Sequence, residues 1–182
     1  MSSSTELPPK ILEGRWDDNV SWEFYLTDRL PAAALCTAVF CLAIIEDTDQ
    51  IVLARNKRGW EMLGGHIDPG EFIEEALIRE SVEEGGFHPS KYMPFGYRKV
   101  MAKEPVVNDH HGGTYPPVAF IPHFLAITNA PLARPTAIGE EIFESRTFHE
   151  REIAELHIAS EPLILAGLER YRALKAQGFT AQ

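Results

Sequence analysis

Cysteine, long apolar runs and positive charge are all scarce in this sequence. Its two cysteines, Cys36 and Cys41, are too few for the disulfide framework of a small secreted domain. The longest apolar stretch, residues 32–45, is shorter than the ~20 residues that a membrane-spanning helix needs. The N-terminal residues also lack the basic and apolar segments of a secretory signal. We therefore expect a cytoplasmic protein that does not span a membrane.

The shortage of basic residues limits the partners of the chain. There are 17 basic residues against 27 acidic ones, which gives a formal net charge of −10. Duplex nucleic acid is bound by Lys and Arg side chains that neutralise its phosphates, so this balance disfavours it as a partner. A small phosphorylated ligand stays compatible with the charge if a divalent cation lies between the ligand and the protein.

Alternating apolar segments predict a layered domain. A chain of 182 residues can bury a core without a disulfide or metal. Near-continuous apolar residues over 35–45 predict a central strand that is buried on both faces. Further strands are predicted at 51–54, 97–102, 118–127 and 142–148, and helices at 72–84, 150–157 and 161–176. Strands interspersed with helices in one chain of this size predict an α/β fold.

The helix predicted at 72–84 ends in an acidic cluster. At 100° per residue, Glu80, Glu83 and Glu84 fall on one arc about 100° wide. One interpretation is a solvated acidic helix end. However, negative charge near a helix C-terminus opposes the macrodipole, and carboxylates spaced three and four residues apart repel each other. A bound cation would offset both effects, and carboxylate oxygens suit Mg²⁺ or Mn²⁺.

The spacing around this helix resembles the Nudix box. From Gly65 the chain has five residues, then Glu71, seven residues, then Arg79-Glu80, and two residues later Glu83-Glu84, followed by Gly85-Gly86-Phe87. The seven fixed positions of the box are matched by Gly65, Glu71, Arg79, Glu80, Glu83, Glu84 and Gly86. One position departs from the pattern, because Ser81 stands where an aliphatic residue is usual. That change is expected to loosen the packing beneath the helix.

The resemblance implies a fold, a reaction and a partition of the chain. The implied fold is an α/β/α sandwich around a mixed β-sheet, and the implied reaction is metal-dependent hydrolysis of a nucleoside diphosphate linked to another group. Residues 1–31 are expected to be an N-terminal extension with aromatic anchors. Residues 32–158 would form the Nudix hydrolase domain, and 159–182 a C-terminal helix packed on it.

The resemblance also implies roles for the residues of the box. Glu80 and Glu84 resemble the principal metal ligands, and Glu83 resembles a third carboxylate that binds metal or takes a proton from the attacking water. The Gly65 carbonyl resembles a backbone ligand. Arg79 and Glu71 resemble a supporting ion pair that orients the carboxylates. The implied catalytic residues are therefore Glu83, Glu80 and Arg79, and the implied metal ligands of Mg²⁺ or Mn²⁺ are Gly65, Glu80, Glu83 and Glu84.

Candidate residues outside the box have weaker support. Glu141 or Glu144 could supply a further acidic catalytic residue, and the alternative is plain surface charge. Three basic residues near the second strand could bind phosphate or be solvated loop charges: Arg55, Lys57 and Arg58. Trp60 could stack on a base, although a core aromatic is the alternative. His110-His111 lies in a predicted loop that could be a substrate lid, a proton-handling site or a surface loop.

Two classes of function remain open from the sequence. The first is a metal-dependent pyrophosphohydrolase that acts on a free nucleotide, such as a modified nucleoside triphosphate, a nucleotide sugar or ADP-ribose. The second is a non-catalytic, nucleotide-sensing Nudix domain, although such domains usually lose box carboxylates and this box is intact. The extension around Trp16, Trp22, Phe24 and Tyr25 predicts contacts to the domain or to a second copy, so a homodimer is possible.

Overall fold

The computed structural model of the protein describes residues 8–129, 132–137 and 142–178. Nine strands and three helices are found in these ranges. The strands are β1 Lys10–Arg15, β2 Val20–Leu26, β3 Ala38–Ile45, β4 Gln50–Asn56, β5 Gly59–Glu61, β6 Leu63–His66, β7 Lys91–Ala102, β8 Val118–Thr128 and β9 Glu144–Phe148. The helices are α1 Ile73–Glu83, α2 Glu150–Ile153 and α3 Glu161–Ala176.

The strands form one mixed sheet. Its order is β1-β2-β7-β8-β3-β4-β5, with β6 paired to β3 and β9 paired to β4. The β3–β8 pair is parallel and the other strand pairs are antiparallel. The second half of β3 pairs with β4, whereas its first half pairs with β6. Strand β6, which contains Gly64 and Gly65, therefore lies directly beside the central strand β3.

Helices cover both faces of the sheet. The face under α1 carries Val39, Cys41 and Ala43 of β3, which are buried together with Ala76 and Leu77 of the helix. The opposite face carries Leu42 and Ile44, which belong to a separate core with the apolar side of α3. Successive side chains of a strand point to opposite faces, so a strand buried on both faces needs a continuous apolar sequence. The predicted α/β sandwich around a mixed sheet is confirmed.

The N-terminal residues contribute two strands to the sheet. β2 pairs with β7 along its whole length, from Val20 with Ala102 to Leu26 with Gly96. Phe24 is fully buried in the core, and Tyr25 stacks on Tyr97 with ring centroids 5.3 Å apart. Most of the aromatic residues of the predicted extension therefore have partners within the chain. The division into segments 1–31, 32–158 and 159–182 stays a prediction.

Several element boundaries differ from the predicted ones. A short 3₁₀ turn at Ala33–Leu35 precedes β3, which therefore starts three residues later than predicted. β7 begins at Lys91, six residues earlier than predicted, and its register opposite β8 shifts between Pro94 and Gly96. Pro122 lies in β8 opposite Tyr97, although β8 is an interior strand between β7 and β3. No helix in the described ranges is long and apolar enough to cross a membrane.

His123 is a polar residue in the middle of this sheet. Its side chain is fully buried beside the rings of Phe24, Phe40 and Phe95. The Nδ1 atom donates to the carbonyl of Ile121 at 2.9 Å, which leaves Nε2 as a lone-pair acceptor. Burial, assisted by the positive charge of Arg98, lowers the pKa of His123 to about 3. The imidazole is therefore neutral in the folded protein at physiological pH.

The buried imidazole predicts a pH-dependent stability. Below the ordinary pKa of 6.5, the unfolded chain binds a proton at His123 that the folded protein excludes. The free energy of unfolding should therefore fall with acidification, by up to about 1.4 kcal/mol per pH unit from this residue alone. We predict that His123→Gln is less stable than the wild type at pH 8, and that the difference shrinks between pH 6.5 and pH 4.

Urea denaturation followed by circular dichroism at several pH values measures this difference. Because carboxylates titrate identically in both proteins, their contribution cancels in the comparison. A difference that stays constant from pH 8 to pH 4 would show that His123 is not the residue that resists protonation.

Candidate functional site

The predicted acidic helix packs directly against the glycines of β6. Strand β6 lies beside β3, with Gly64 opposite Phe40 and Gly65 opposite Val39. A short turn leads from β6 to α1, and the helix begins after Phe72, whose N–H donates to the Glu75 carboxylate at 2.9 Å. This contact satisfies one of the N–H groups that every helix start leaves without a partner inside the helix.

Both glycines are required by close approaches of other groups. Gly64 has a φ of +146°, and a Cβ there would collide with the Val39 carbonyl. Gly65 has an ordinary backbone, but a Cβ there would lie 2.9 Å from the Cδ atom of Glu80. The missing side chain at Gly65 therefore lets the main chain of β6 lie against the Glu80 carboxylate.

The three carboxylates of the last helical turn differ in burial. Glu80 and Glu84 are 8% and 9% exposed, whereas the side chain of Glu83 is 43% exposed. Glu84 accepts a hydrogen bond from the Gly64 N–H at 2.8 Å, which fixes its carboxylate next to β6. The helix therefore holds two carboxylates at the protein interior and presents the third one to solvent.

Arg79 connects the carboxylates with the segment that precedes the helix. Its Nε and Nη2 atoms donate to the two oxygens of Glu71 at 2.8 and 3.0 Å. Nη1 donates to Glu80 at 2.8 Å and to Glu83 at 3.2 Å, and Nη2 also donates to the His66 carbonyl at 2.9 Å. An Arg side chain has five N–H donors, so these five contacts use the whole guanidinium.

The ion pair between Arg79 and Glu71 sets the charges of both groups. The guanidinium holds the pKa of the Glu71 carboxyl below its usual range. Glu71, and then Glu80, raise the pKa of Arg79. Glu71 can make this contact because it lies two residues before α1, so that its side chain reaches back along the helix. Both groups therefore stay charged over the physiological pH range.

Ser81 occupies the box position where an aliphatic residue is usual. It is fully buried, and its hydroxyl donates to the Leu77 carbonyl one turn earlier at 2.8 Å. This bond satisfies the hydroxyl without a partner outside the helix. The Cys41 thiol lies 3.8 Å from the Ser81 hydroxyl oxygen. The small polar side chain is thus accommodated against β3 without a buried unsatisfied group.

A cavity of about 570 Å³ lies over the acidic cluster. It is lined by β6, the end of α1 and two loops: Gly64, Gly65, His66, Asp68, Arg79, Glu80, Glu83, Glu84, His110, His111, Thr136 and Ala137. Ligand-binding sites are commonly concave and of this size. The structure thus joins the predicted box with the loop that contains His110-His111.

Histidine side chains line one side of this cavity, and Tyr115 contacts one of them. The ring of His110 stacks on His66 with centroids 3.7 Å apart, and the Tyr115 hydroxyl lies 2.6 Å from His66 Nε2. His111 lies 3.9 Å from the Asp68 carboxylate. Burial, assisted by the two neighbouring histidines, lowers the pKa of His66 to about 4, so its ring is neutral at physiological pH. These contacts hold the 103–117 loop against the cavity.

The described residues fit a divalent cation, although they are not arranged around one. In ranges 8–129, 132–137 and 142–178, no group of three or more His, Cys, Asp or Glu residues is positioned to hold a metal ion as it stands. The carboxylates of Glu80 and Glu83 point to Arg79, and Glu84 contacts Gly64. A carboxylate has about four lone-pair sites, so these contacts and metal binding are compatible. The close approach of Gly65 and Glu80 supplies the hard oxygen ligands that Mg²⁺ or Mn²⁺ prefers.

The other predicted residues lie away from this cavity. Arg55 forms an ion pair with Glu144 at 3.0 Å, and both side chains are partly exposed. Arg58 pairs with Glu61 at 2.8 Å, and the neighbouring Lys57 lies in the same β4–β5 turn. None of the four predicted residues, Arg55, Lys57, Arg58 and Glu144, lines the cavity over α1 in the part of the chain that the structure describes.

Two further predictions concern Trp60 and Glu141. Trp60 is half-buried against Phe148, with ring centroids 4.8 Å apart, and lies near Arg55 and Arg146. This packing favours the core role over base stacking. Glu141 lies outside the described residues. The proposed roles of Arg55, Lys57, Arg58, Trp60, Glu141 and Glu144 remain predictions.

Sequence reasoning did not assign Tyr115 and Asp68 to the site. Tyr115 is far from the box in sequence and reaches it only because the β7–β8 loop folds back over β6. Asp68 lies within the box, but at a position where the pattern allows any residue. A cluster of histidines next to glycines in the 103–117 loop is the one sequence signal that points to this side of the cavity.

The comparisons with known proteins agree on one family. A family model described as NUDIX domain matches residues 34–164. A Bacillus subtilis protein provisionally named 8-oxo-dGTP diphosphatase is 40% identical over 47 residues, which are 25% of this chain and 32% of that protein. Nudix hydrolase 19, chloroplastic, of Arabidopsis thaliana is 38% identical over 69 residues, or 32% of this chain and 16% of that protein. The alignments thus span a third or less of the length of these curated relatives.

Solved structures show the same fold. The pyrophosphohydrolase BsRppH of Bacillus subtilis superimposes with a TM-score of 0.61 at 19% identity, over 88% of this chain and 98% of that chain. The NUDIX domain of Shewanella oneidensis NrtR, solved with ADP ribose, superimposes with a TM-score of 0.54 at 14% identity, over 79% and 90% of the two chains. At such identities the likeness concerns the fold alone.

The contacts of Arg79 predict a structural role that an exposed ion pair lacks. Arg79→Met should leave Glu71, Glu80 and Glu83 without their shared cation and should lower the free energy of unfolding by about 2 kcal/mol. The matched control is Arg172→Met, which removes the exposed pair with Glu150 and should change stability by less than about 1 kcal/mol. Thermal and urea denaturation measure both values. Equal effects of the two substitutions would contradict the role of Arg79.

Proposed function

This chain belongs to the NUDIX domain family, and we propose that it is a metal-dependent pyrophosphohydrolase that cleaves the diphosphate of a free nucleotide. The observation that carries the proposal is the meeting of Glu80, Glu83 and Glu84 with the glycines of β6 at one cavity. The names of the curated relatives support it, since they include 8-oxo-dGTP diphosphatase and Nudix hydrolase.

The proposed mechanism depends on neutralising the substrate. A diphosphate resists nucleophilic attack because its anionic oxygens repel the nucleophile. Mg²⁺ or Mn²⁺, when bound, supplies that neutralisation and lowers the pKa of a coordinated water. Glu80, Glu84 and the Gly65 carbonyl would hold the cation, because all three residues line the cavity and both carboxylates are buried.

The remaining residues of the box would position groups around the reaction. Glu83 is the most exposed of the three carboxylates, so it can reach an attacking water and accept its proton. Arg79 contacts Glu80 and Glu83 and fixes where their carboxylates point. His66 and His110 line the same cavity as the acidic cluster, and Tyr115 contacts His66.

The alternative is a nucleotide-sensing domain without turnover. It shares the fold, and the NrtR domain shows that a NUDIX domain can be solved with ADP ribose bound. The complete set of box carboxylates favours the enzyme. Thermal stabilisation by a nucleotide without any metal-dependent product would support the sensing alternative.

The acidic cluster predicts how activity responds to single substitutions. Glu84→Gln and Glu83→Gln should each reduce turnover about 100-fold or more, because each removes a charge that a cation or a proton requires. The fold should be retained, since Gln still accepts the bond from Gly64 in the first case. The matched control is Glu74→Gln, the same change at an exposed position of the same helix.

Chromatographic detection of the nucleotide products formed from a panel of nucleotides measures these effects. The panel contains nucleoside triphosphates, oxidised guanine nucleotides, ADP-ribose, nucleotide sugars and dinucleoside polyphosphates, each with Mg²⁺, with Mn²⁺ and with chelator. Full activity of Glu84→Gln with Mg²⁺ would show that the metal assignment is wrong.

A homodimer in the cytoplasm is the predicted state of the protein. β1 is an edge strand of the sheet, and edge strands offer unpaired backbone groups to a second chain. Trp16, next to this strand, is 54% exposed. Sedimentation velocity at micromolar concentration should give the mass of two chains, and a monomer would exclude the dimer. Both cysteines are free thiols, which agrees with a reducing compartment.

A further inference from the structure

The loop between β7 and β8 contains a short hairpin of its own. An antiparallel bridge between Val107 and Thr114 closes this hairpin. At its tip, the side-chain oxygen of Asn108 accepts hydrogen bonds from the backbone N–H groups of His110 and His111, each at 3.1 Å. The hairpin therefore holds two adjacent histidines, the tip histidines, on a hydrogen-bonded turn.

The tip histidines lie against the end of β6 and the turn that follows it. The ring of His110 stacks on the ring of His66 with centroids 3.7 Å apart, and His66 directly follows Gly65. The Nε2 atom of His111 lies 3.9 Å from the Asp68 carboxylate, which is longer than a hydrogen bond. Both tip histidines line the same cavity as the acidic cluster.

This cavity offers few other donors to an anionic substrate. Its described lining carries four carboxylates, and the guanidinium of Arg79 already uses all five of its N–H donors within the protein. No lysine and no second arginine is among the described residues that line it. The imidazole N–H groups and the Thr136 hydroxyl are therefore the side-chain donors that remain there.

The ring nitrogens of the tip histidines are available to a ligand. No described residue forms a hydrogen bond with a ring nitrogen of His110 or His111. By contrast, the Nε2 atom of His66 accepts a hydrogen bond from the Tyr115 hydroxyl at 2.6 Å. A hydrogen bond from an N–H donor to an anionic oxygen is about twice as strong as one between two uncharged groups. The tip histidines therefore favour a ligand that brings anionic oxygens into the cavity.

We propose that His110 and His111 bind the terminal phosphoryl group of a substrate whose inner phosphates lie at the acidic cluster. This inference rests on the proposed function and narrows its substrate to nucleotides with a free terminal phosphate. A terminal phosphoryl group has about two negative charges and three acceptor oxygens, which two neighbouring imidazoles can share. A sugar in its place has uncharged hydroxyls, so the tip histidines bind it more weakly.

Binding of analogues that resist hydrolysis tests this inference without turnover. The probes are the α,β-methylene analogues of ATP and GTP, which have a terminal phosphoryl group, and those of ADP-ribose and GDP-glucose, which have a sugar in its place. They are titrated by calorimetry with Mg²⁺ against the wild type, His110→Phe, His111→Phe and the control His88→Phe. Phe keeps an aromatic ring but has no N–H donor. His88 is exposed and does not line the cavity.

The two classes of analogue should respond differently to the substitutions. The wild type and the control should bind each triphosphate analogue about tenfold or more tightly than the sugar analogue of the same base. His110→Phe and His111→Phe should each weaken binding of the triphosphate analogues about tenfold and leave binding of the sugar analogues unchanged. Equal weakening of both classes, unchanged triphosphate binding, or a wild type that binds triphosphate analogues no more tightly than sugar analogues would overturn the inference.

Stability separates a binding role from a structural one. The melting temperatures of both variants should stay close to that of the wild type, because the ring nitrogens of the tip histidines form no hydrogen bond with the described residues. A variant that melts several degrees lower and binds both classes of analogue more weakly would assign the tip histidines to the packing of the loop. That result would contradict the proposed contact.

Hydrolysis assays distinguish this inference from the proposed function. With Mg²⁺ and a nucleoside triphosphate, His111→Phe should raise KM about tenfold while kcat is retained, because the contact is made equally in the ground and transition states. Metal-dependent hydrolysis of nucleotide sugars and triphosphates with equal KM would refute the inference and leave the function standing. Selective loss of triphosphate binding in the variants, without hydrolysis of any nucleotide by the wild type, would refute the function and leave the binding role standing.

Discussion

The candidate site depends on one guanidinium. Arg79 contacts a residue before the helix, two residues in the last helical turns and the end of the neighbouring strand, and it uses every N–H donor in doing so. Without it, the carboxylates would be held at a helix C-terminus by backbone alone, where both the macrodipole and their mutual repulsion push them apart. The arginine therefore allows a cluster of negative charge to persist in the absence of a second cation.

Strand β6 lies between the acidic helix α1 and the central strand β3. Its glycines face α1 closely enough to contact Glu80 and Glu84, while its partner β3 presents Phe40 to the opposite face. The chemistry of the diphosphate belongs to the helix side in our proposal. On the other side of the sheet, Arg98 Nε and His123 Nε2 are buried without a hydrogen-bond partner among the described residues.

Much of the fold was predictable because it follows from local pattern. The apolar run of β3 could be recognised since a strand buried on both faces has no polar alternation, and α1 and α3 were placed to within a residue by their periodicity and by terminal glycines. Short elements were less predictable. β1 and β2 have mixed polar sequences, and they are strands because β7 provides a partner for their backbone groups, which no local signal encodes.

The sequence by itself determined the chemistry of the box. The spacing of Glu71, Arg79, Glu80, Glu83 and Glu84 places these residues along one helix and its lead-in, and helix geometry alone then brings them together. Only the tertiary structure decided what surrounds them. It paired Arg55 with Glu144 and Arg58 with Glu61, it brought Tyr115 to His66, and it placed Arg98 over the rings of Trp16 and Trp22. These contacts join residues distant in the chain, so they depend on strand order and register, which spacing along the sequence does not contain.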